Sequence, residues 1–438
     1  MVIFIPALWV CGQYYTVKSV MHCAGLGTRF RPLSLDVPKP LFPVAGLPMV
    51  QHHIEACAAV PDIREVLLLG YFPAQQLQQF VADMIAAYKI RIRYLQEYQA
   101  LGTAGGIYHF RDQISSGNPD AFFVLNGDVC GDFPLQEMLD FHTSLSTPSL
   151  ITIMGTEATR QQSTMYGCIV EDKETHQILH YVEKPSTFVS NLINCGVYIC
   201  SPDIFKRVGE IFNSRQDFYS CDDSEGTETI QLEQDILMPI AGTGQAYVYN
   251  NDRWWSQIKT AGSAIYANRH YLQLYHKTKK ERLATNGPDK PTIIDDVYIH
   301  PTATVDPSAL LGPNVSVGKN AVIGAGVRIR ESIILGNTTI QEHSCVLYTC
   351  VHLISRVVGW NSNVGAWTRL EGTPCDPNPN KPFAKMDNVP LFNLEGKLNP
   401  SITILGNDVK VPSEVVVINS IVLPYKELSA STKNEIIL

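Results

Sequence analysis

The sequence predicts an α/β domain with a doubly wound parallel sheet, followed by a C-terminal parallel β-helix. The α/β domain is predicted because short apolar runs alternate with segments of helical period through the N-terminal part of the chain. The β-helix is predicted because aliphatic residues recur every six positions after about residue 293. At 438 residues the chain is also too long for one compact core, which favours more than one domain.

The N-terminal part contains the strands and helices that a doubly wound sheet requires. Apolar residues at helical spacing predict helices, and short apolar or alternating runs predict strands. The predicted elements are a helix over 48–59, a strand over 65–70, a helix over 75–88, a strand over 90–95 and a strand over 121–125. In such sheets the ligand lies beyond the carboxyl ends of the strands. Residues 25–29, 97–106 and 126–128 each follow a strand, so we expect them to converge on one crevice.

The C-terminal part changes to a hexapeptide repeat. Before it, residues 270–292 predict a charged helix that runs into a linker containing glycine and proline. The repeated aliphatic positions are Ile299, Val305, Leu311, Val317, Ile323 and Ile329, and the pattern resumes near Val357, Val364, Leu405 and Val411. Residues 371–382 contain four prolines and cannot form a coil, so they are predicted to form a projecting loop.

The composition excludes several classes of function. A formal net charge of −8 argues against a nucleic-acid-binding protein, which needs a basic face. The eleven cysteines show no C-x-x-C spacing, so neither a zinc site nor a disulfide framework is predicted, and a reducing, cytoplasmic location fits best. No run of about 18 apolar residues occurs, so no transmembrane helix is expected. Residues 1–11 are apolar but lack a basic start and contain Pro6, which argues against a signal peptide.

Residues 24–40 carry the pattern of a phosphate-binding loop. Gly25 and Gly27 have no Cβ, so the backbone can pass close to a bound group. The side chains suited to phosphate oxygens are Thr28, Arg29, Arg31 and Lys39. A glycine turn with basic groups is one way in which proteins hold a polyphosphate, although G-x-G alone also occurs in ordinary surface loops. The pattern G-x-G-T-R-x-R-P is neither the P-loop nor the Rossmann fingerprint.

This stretch resembles the signature of the sugar-phosphate nucleotidyltransferases. Within this group, Phe30–Leu33 and Pro38–Leu41 resemble the GDP-mannose pyrophosphorylases (mannose-1-phosphate guanylyltransferases). Later residues resemble the alpha, regulatory type of these proteins. The similarity extends from about Val20 to Leu438. In this family a sugar 1-phosphate attacks the α-phosphate of a nucleoside triphosphate and releases pyrophosphate. The resemblance implies a nucleotidyltransferase-like, Rossmann-like domain and a left-handed β-helix.

The resemblance divides the chain into four parts. They are an atypical N-terminal segment (1–17), a nucleotidyltransferase-like GDP-mannose-binding domain (18–268), a helix and linker (269–292), and the β-helix (293–438) with a loop projecting over 371–397. Cys350–Arg356 is interpreted as an insertion that bulges from a coil. In the resembled alpha-type members the loop reaches toward the catalytic partner. The alternative is that the loop is an inert excursion.

The start of the α/β domain departs from the family pattern, in which an apolar strand leads directly into the glycine loop. The corresponding stretch, Val17–Cys23, is a poor strand because Lys18 and His22 stand where aliphatic residues are expected. Two interpretations compete: a divergent or alternatively assembled N-terminus, which we favour, or a first strand supplied by Val2–Val10. His22 and Cys23 have no visible catalytic partner, so we interpret them as structural.

The resemblance also implies residues that bind nucleotide and sugar. Glu97 would accept hydrogen bonds from the N1–H and N2–H₂ edge of guanine. Glu183 and Asn194 would bind sugar hydroxyls, and Lys184 would face the sugar phosphate. The other substrate-binding residues implied are Gly25, Gly27, Thr28, Gly102, Thr103, Asn126, Asp128, Gly167 and Gln257, with Arg29 and Lys39 as vestigial catalytic groups that bind phosphate.

A metal site is expected at Asp128, which ends a buried strand at the crevice. Mg²⁺ prefers oxygen ligands and usually takes one or two carboxylates; a turn or helix-cap role for the aspartate is the alternative. Catalytic members carry a second metal-binding aspartate in a W-x-D-I-G segment. The matching stretch here, Trp254–Thr260, has Gln257 at the aspartate position and Lys259 at the glycine. We therefore expect weak Mg²⁺ binding and turnover reduced by several orders of magnitude.

The favoured hypothesis is a regulatory subunit that binds GDP-mannose and mediates feedback inhibition of a catalytic, beta-type paralogue within a hetero-oligomer. The alternative is an active mannose-1-phosphate guanylyltransferase, which converts GTP and mannose 1-phosphate to GDP-mannose and diphosphate. A third hypothesis is a scaffold similar to the nucleotidyltransferase-like subunits of a translation initiation exchange factor, but the near-complete nucleotide signature argues against it. No nucleic-acid or membrane partner is expected.

Overall fold

A nine-stranded sheet forms the centre of the N-terminal domain. The computed structural model describes residues 15–23, 27–99, 101–219, 229–346, 356–372 and 402–438. Besides a small hairpin of Pro43–Val44 and Leu47–Pro48, the strands of the N-terminal domain are β1 (Val17–His22), β2 (Ile63–Gly70), β3 (Arg91–Gln96), β4 (Ala121–Asn126), β5 (Val129–Gly131), β6 (Ile151–Glu157), β7 (Gly167–Glu171), β8 (Ile178–Glu183), β9 (Leu192–Cys200), β10 (Ala246–Asn250) and β11 (Trp255–Gln257). The order in the sheet is β8-β7-β9-β4-β1-β2-β3, with β6 beside β9 and β10 beside β6, while β5 and β11 pair separately.

Helices cover both faces of this sheet, as the doubly wound prediction requires. The helices of this domain are α1 (Met49–Ala58), α2 (Ala74–Tyr88), α3 (Gly102–His109), α4 (Arg111–Ser115), α5 (Leu135–Ser144), α6 (Arg160–Ser163), α7 (Ile204–Tyr219) and α8 (Met238–Ile240), preceded by a π-helical turn over Leu232–Leu237. Consecutive strand residues face opposite cores, because Met21 packs with residues of α1, α2 and α5 whereas Val20 packs with residues of α3 and α7. The predicted helices and strands are confirmed within a residue or two at their ends.

The predicted parallel pairing holds for one half of the sheet. Strands β4, β1, β2 and β3 are parallel neighbours. Strand β9 runs antiparallel to both β4 and β6, and β8 runs antiparallel to β7. The sheet is therefore mixed, and its parallel half contains the strand ends that lead into the glycine loop and into Asp128.

Strand β1 corrects the expectation of a poor first strand. It lies between β2 and β4, with Val20 opposite both Leu67 and Val124, so the interpretation that residues 2–10 supply this strand is wrong. The Lys18 ammonium lies 2.9 Å from Glu65 Oε2 and donates to the Gln113 carbonyl at 2.9 Å. A buried lysine is tolerated at this position because a carboxylate from the neighbouring strand neutralises it. Residues 1–14 lie outside the described part of the chain.

The helix that follows the sugar-binding part of the chain is longer and more buried than the sequence predicts. It is α9 (Ala261–Thr278), which starts at a capping box in which the Thr260 and Ser263 side chains each bond the other's backbone. Tyr271, Leu272 and Tyr275 pack in a core that also contains Tyr298 and residues of the β-helix. The helix therefore joins the two domains through a shared apolar core, and the linker proper begins only after residue 278.

The C-terminal domain is a parallel β-helix, as expected for the left-handed form that the resemblance implies. The first of its three sheets contains Thr292–Ile293, Leu310–Leu311, Arg328–Ile329, Cys345–Val346, Arg369–Glu371, Val416–Ile418 and Thr432–Lys433. The second contains Val297–Ile299, Val315–Val317, Ser332–Ile334, Arg356–Val358, Thr403–Leu405, Ile421–Val422 and Ile436–Ile437. The third contains Thr304–Val305, Val322–Ile323, Thr339–Ile340, Asn363–Val364 and Lys410–Val411. The hexad residues Leu311, Val317, Ile323 and Ile329 are buried inside the coils, which confirms the repeat.

An asparagine ladder follows one corner of the β-helix. Asn320, Asn337 and Asn361 adopt left-handed backbone conformations, with φ of 55°, 58° and 56°. The amide of Asn320 donates to that of Asn337 at 3.2 Å, and Asn337 donates to Asn361 at 3.1 Å. Asparagine tolerates this conformation better than most residues do, so the ladder satisfies its amides while turning each coil.

Two expectations for the C-terminal domain fall largely outside the described residues. Of the interpreted insertion at 350–356, only Arg356 is described, and it begins a buried strand. Of the projecting loop at 371–397, only residues 371 and 372 are described. In the described ranges, the helices are all too short or too polar to span a membrane.

Candidate functional site

Two adjoining clefts open beyond the carboxyl ends of β1 and β4. The first has a volume of about 580 Å³ and the second about 450 Å³, and they share Thr103, Asn126, Gln231 and Gln257. The first, which we call the phosphate cleft, is lined among others by His22, Cys23, Gly27, Thr28, Lys39, Gly102 and Asp128. The second, which we call the sugar cleft, is lined among others by Tyr166, Gly167, Glu183, Lys184, Asn194, Tyr198, Glu233 and Lys259. The crevice predicted from the strand ends is therefore present.

The glycine loop forms one wall of the phosphate cleft. Gly27 has a φ of +59°, and the Ser34 hydroxyl donates to its carbonyl at 2.8 Å, so the chain turns tightly before the 3₁₀ turn over Thr28–Phe30. Lys39 begins a second 3₁₀ turn, over Lys39–Leu41, and its side chain is only 11% exposed. The loop thus holds the ammonium within the cleft. Gly25 and the side chain of Arg29 lie outside the described residues.

Asp128 is already engaged by side chains of this crevice. The Gln257 amide Nε2 donates to Asp128 Oδ1 at 3.1 Å and to Oδ2 at 3.3 Å, and the Lys39 ammonium lies 3.5 Å from Oδ2. Burial opposes ionisation of this carboxyl, but the Lys39 charge, the Gln257 hydrogen bond and the Lys259 charge outweigh it and lower the pKa below its usual value. Pairing of β5 with β11 fixes this contact, because Gln257 lies opposite Val129, the residue after Asp128.

The residues around Asp128 do not fit a divalent cation. A metal ion would compete with an amide N–H group for both carboxylate oxygens, and it would lie near two ammonium groups. Within the described ranges, no group of three or more His, Cys, Asp or Glu side chains is arranged to hold a metal. Gln257 therefore presents its amide N–H₂ group, and not its carbonyl oxygen, to Asp128.

Glu97 lies beneath the phosphate cleft rather than in its wall. Its side chain is about 1% exposed, and neither carboxylate oxygen has a hydrogen-bond partner among the described residues. His22 Nε2 is 4.0 Å from Oε1, and burial lowers the pKa of this histidine to about 4. Burial also raises the pKa of Glu97 to about 7. Glycine at position 106 leaves room for this carboxylate, because a Cβ there would lie 2.1 Å from Glu97 Oε1 and the side chain would have to shift.

A chain of hydrogen bonds crosses the floor of the sugar cleft. Asn194 donates from Nδ2 to the hydroxyls of Tyr181 at 3.0 Å and Tyr198 at 2.9 Å, and its Oδ1 accepts from the Gly196 N–H group at 2.8 Å. Tyr181 donates to Glu183 Oε2 at 2.9 Å. Tyr198 donates at 2.9 Å to Oε1 of Glu233, a residue of the π-helical turn. The polar groups of this cleft are therefore oriented before any ligand binds.

The Glu183–Lys184 pair forms the outer edge of the sugar cleft. Lys184 Nζ lies 2.9 Å from Glu183 Oε1, and Lys184 has a φ of 45°, which is uncommon for a residue with a side chain. Its side chain is 61% exposed, so the ammonium can turn toward a bound phosphate without moving the backbone.

Sequence reasoning missed the second half of the sugar cleft. Tyr198 lies on β9, four residues after Asn194, and would have been found by asking what lines the same face of that strand. Glu233 and Gln231 come from a segment without any motif, and no local pattern marks them as cleft residues. Burial raises the pKa of Glu233, so this carboxyl holds its proton more readily than an exposed one.

The α/β domain with its crevice, followed by a parallel β-helix, has the organisation of a nucleotidyltransferase joined to a β-helix. The family model described as nucleotidyl transferase matches residues 18–273, and that of the GMPPB C-terminal domain matches residues 293–437. The chain is 58% identical over 429 residues to the mannose-1-phosphate guanylyltransferase regulatory subunit alpha-A of Danio rerio, covering 96% of this chain and all of that one. It is 60% identical over 444 aligned positions to the regulatory subunit alpha of Drosophila melanogaster, with 96% and 100% coverage. The chain belongs to the family of mannose-1-phosphate guanylyltransferase regulatory subunits alpha.

Proposed function

We propose that this chain is the regulatory subunit of a mannose-1-phosphate guanylyltransferase, that it binds GDP-mannose in the crevice, and that it transmits feedback inhibition to a catalytic subunit. The observation that carries the proposal is the contact of the Gln257 amide with both oxygens of Asp128. The names of the Danio rerio and Drosophila melanogaster relatives support a regulatory role, and a regulatory subunit implies a catalytic partner and a hetero-oligomer.

The two clefts together match the parts of a nucleotide sugar. Lys39 and Thr28 line the phosphate cleft, and both can bind phosphate oxygens, the lysine by charge and the threonine by its hydroxyl. Glu183 and Lys184 line the sugar cleft, where a carboxylate can accept from sugar hydroxyls. The base would lie near Gly102 and Thr103, above Glu97. Asn126, which lines both clefts, would lie at the diphosphate.

The same geometry explains why turnover should be low. The metal expected by family resemblance would bind only weakly at Asp128, since Gln257 and Lys39 already occupy its oxygens. Stabilisation of transition-state charge by a metal is typically worth several kcal/mol, and about 1.36 kcal/mol corresponds to tenfold in rate. Arg29 and Lys39 would then bind phosphate without supporting the transfer reaction.

One assay separates this proposal from the alternative of an active guanylyltransferase. The purified chain is incubated with GTP, mannose 1-phosphate and Mg²⁺, alone and with the catalytic subunit. We expect GDP-mannose binding but turnover far below the roughly 10 s⁻¹ of an ordinary enzyme. A turnover number near that value for the isolated chain would refute the regulatory assignment.

A second measurement tests feedback. The catalytic subunit should become sensitive to GDP-mannose when this chain is added, and should lose that sensitivity with the variant Glu183→Gln, which weakens binding in the sugar cleft. The matched control is Glu174→Gln, an exposed glutamate in the turn between β7 and β8. If Glu183→Gln and wild type confer the same sensitivity, inhibition does not run through this crevice.

A further inference from the structure

We propose that the crevice binds the diphosphate of a nucleotide sugar without a divalent cation, and that Lys259 and Lys39 supply the positive charge for it. This inference rests on the proposed function, because it concerns how the same ligand is held. The two clefts meet at Gln257, and charged side chains surround this point.

The charged side chains around Gln257 leave a net positive charge without a metal. Asp128 contributes one negative charge, and Lys39 and Lys259 each contribute one positive charge, so the local sum is +1. The Lys39 ammonium lies 3.5 Å from Asp128 Oδ2, and Lys259 lines the adjoining sugar cleft together with Gln257. A diphosphate brings negative charge and is therefore attracted, whereas a dication is repelled by the two ammonium groups.

The other charged groups of the two clefts do not make this local net charge negative. Glu183 pairs with Lys184 at 2.9 Å, and Glu233 accepts a hydrogen bond from Tyr198 at the far side of the sugar cleft. Lys259 lines the sugar cleft and lies over the Tyr166 ring, 5.5 Å from its centroid, so its ammonium is directed along the wall rather than into solvent.

The hydrogen bonds of Asp128 also favour a bound diphosphate over a metal ion. A metal bound to Asp128 would have to share or displace the contacts of the Gln257 amide with both carboxylate oxygens, at 3.1 and 3.3 Å. A diphosphate demands no such exchange. Its oxygens can accept directly from the lysine ammonium groups, and charge-assisted hydrogen bonds of this type are among the stronger ones in proteins.

The test measures the affinity for GDP-mannose by isothermal titration calorimetry, in EDTA and in Mg²⁺. We expect dissociation constants that agree within about twofold, and the same result with GDP, which lacks the sugar. Because the loss of a charged hydrogen-bond donor typically costs about tenfold or more in affinity, Lys259→Ala should weaken binding by at least that factor in EDTA. Lys259→Arg should restore most of the affinity. The control Lys206→Ala removes an 81% exposed lysine on α7 and should change nothing.

A double variant tests whether these two side chains suppress metal dependence. Gln257→Asp combined with Lys259→Gly removes one positive charge and adds a carboxylate, so its affinity for GDP-mannose should become at least about tenfold higher in Mg²⁺ than in EDTA. Melting curves of every variant verify that it is folded.

The outcomes separate the inference from the proposed function. If wild type binds GDP-mannose at least tenfold more tightly in Mg²⁺ than in EDTA, the inference of metal-free binding is refuted, but the proposed binding of GDP-mannose is not. If Lys259→Ala binds like wild type, the lysine has no part in holding the diphosphate. If wild type binds GDP-mannose under neither condition, the proposed function itself is refuted.

Discussion

Replacing Glu65 by glutamine should destabilise the N-terminal domain far more than a surface substitution would. The Glu65 side chain is 5% exposed and the Lys18 side chain 8%, with 2.9 Å between Oε2 and Nζ. Glu65→Gln keeps the size of the side chain but removes its negative charge, so the Lys18 ammonium stays buried in the central strand with only neutral acceptors such as the Gln113 carbonyl. Removing one partner of a buried pair costs about 3–5 kcal/mol.

The size of the effect can be followed by thermal unfolding. For a domain of about 250 residues, each kcal/mol shifts the melting temperature by about 2–4 °C, so the expected decrease is roughly 6–20 °C. The double variant Lys18→Met with Glu65→Gln should recover most of this loss, because no buried charge remains. Arg93, whose Nε lies 2.7 Å from Glu65 Oε1, is 32% exposed and can turn toward solvent.

The dependence on pH provides an internal control. Burial raises the pKa of Glu65, but hydrogen bonds from Arg93 and Lys18 outweigh burial, and the folded-state pKa lies below its ordinary value of 4.5. The stabilisation is therefore fully present above about pH 4.5 and is lost as the pH falls through the folded-state pKa. A change of less than about 0.5 kcal/mol in Glu65→Gln at pH 7 would refute the reasoning, since that is the value of an exposed pair.

Two further predictions concern Glu97 and the β-helix. Because burial raises the pKa of Glu97 to about 7, wild type should lose stability relative to Glu97→Gln as the pH rises from about 4.5 to 7, and the difference should then level off. Urea unfolding midpoints of both proteins across this pH range measure the effect. Midpoints that change equally with pH in the two proteins would contradict the prediction. Ile323→Asp should unfold the coils, whereas Val322→Asp, at an adjacent position that is 43% exposed, should not; equal melting temperatures would disprove the inward register of Ile323.

The sequence by itself determined the features that depend on local pattern. The hexapeptide period predicted buried residues of the β-helix, such as Leu311, Val317 and Ile323, since each face of a coil places one aliphatic side chain inward. The glycines and prolines around Lys39 predict a phosphate-binding loop, and the family resemblance, with Gln257 in place of an aspartate, predicts a weakened metal site; both stay predictions. In each of these cases the information lies within one contiguous stretch of the chain.

The tertiary structure decided the features that depend on distant partners. Lys18 made β1 look like a poor strand, and only the position of Glu65 on the neighbouring strand shows why a charge is accepted there. The burial of Glu97 below the cleft, rather than in its wall, also depends on how segments pack together. Either end of the Gln257 amide could face Asp128 as far as the sequence shows. The pairing of β5 with β11 and the neighbouring lysines place Gln257 beside an ionised carboxylate. The amide then presents its donor end, because two acceptors facing each other would repel.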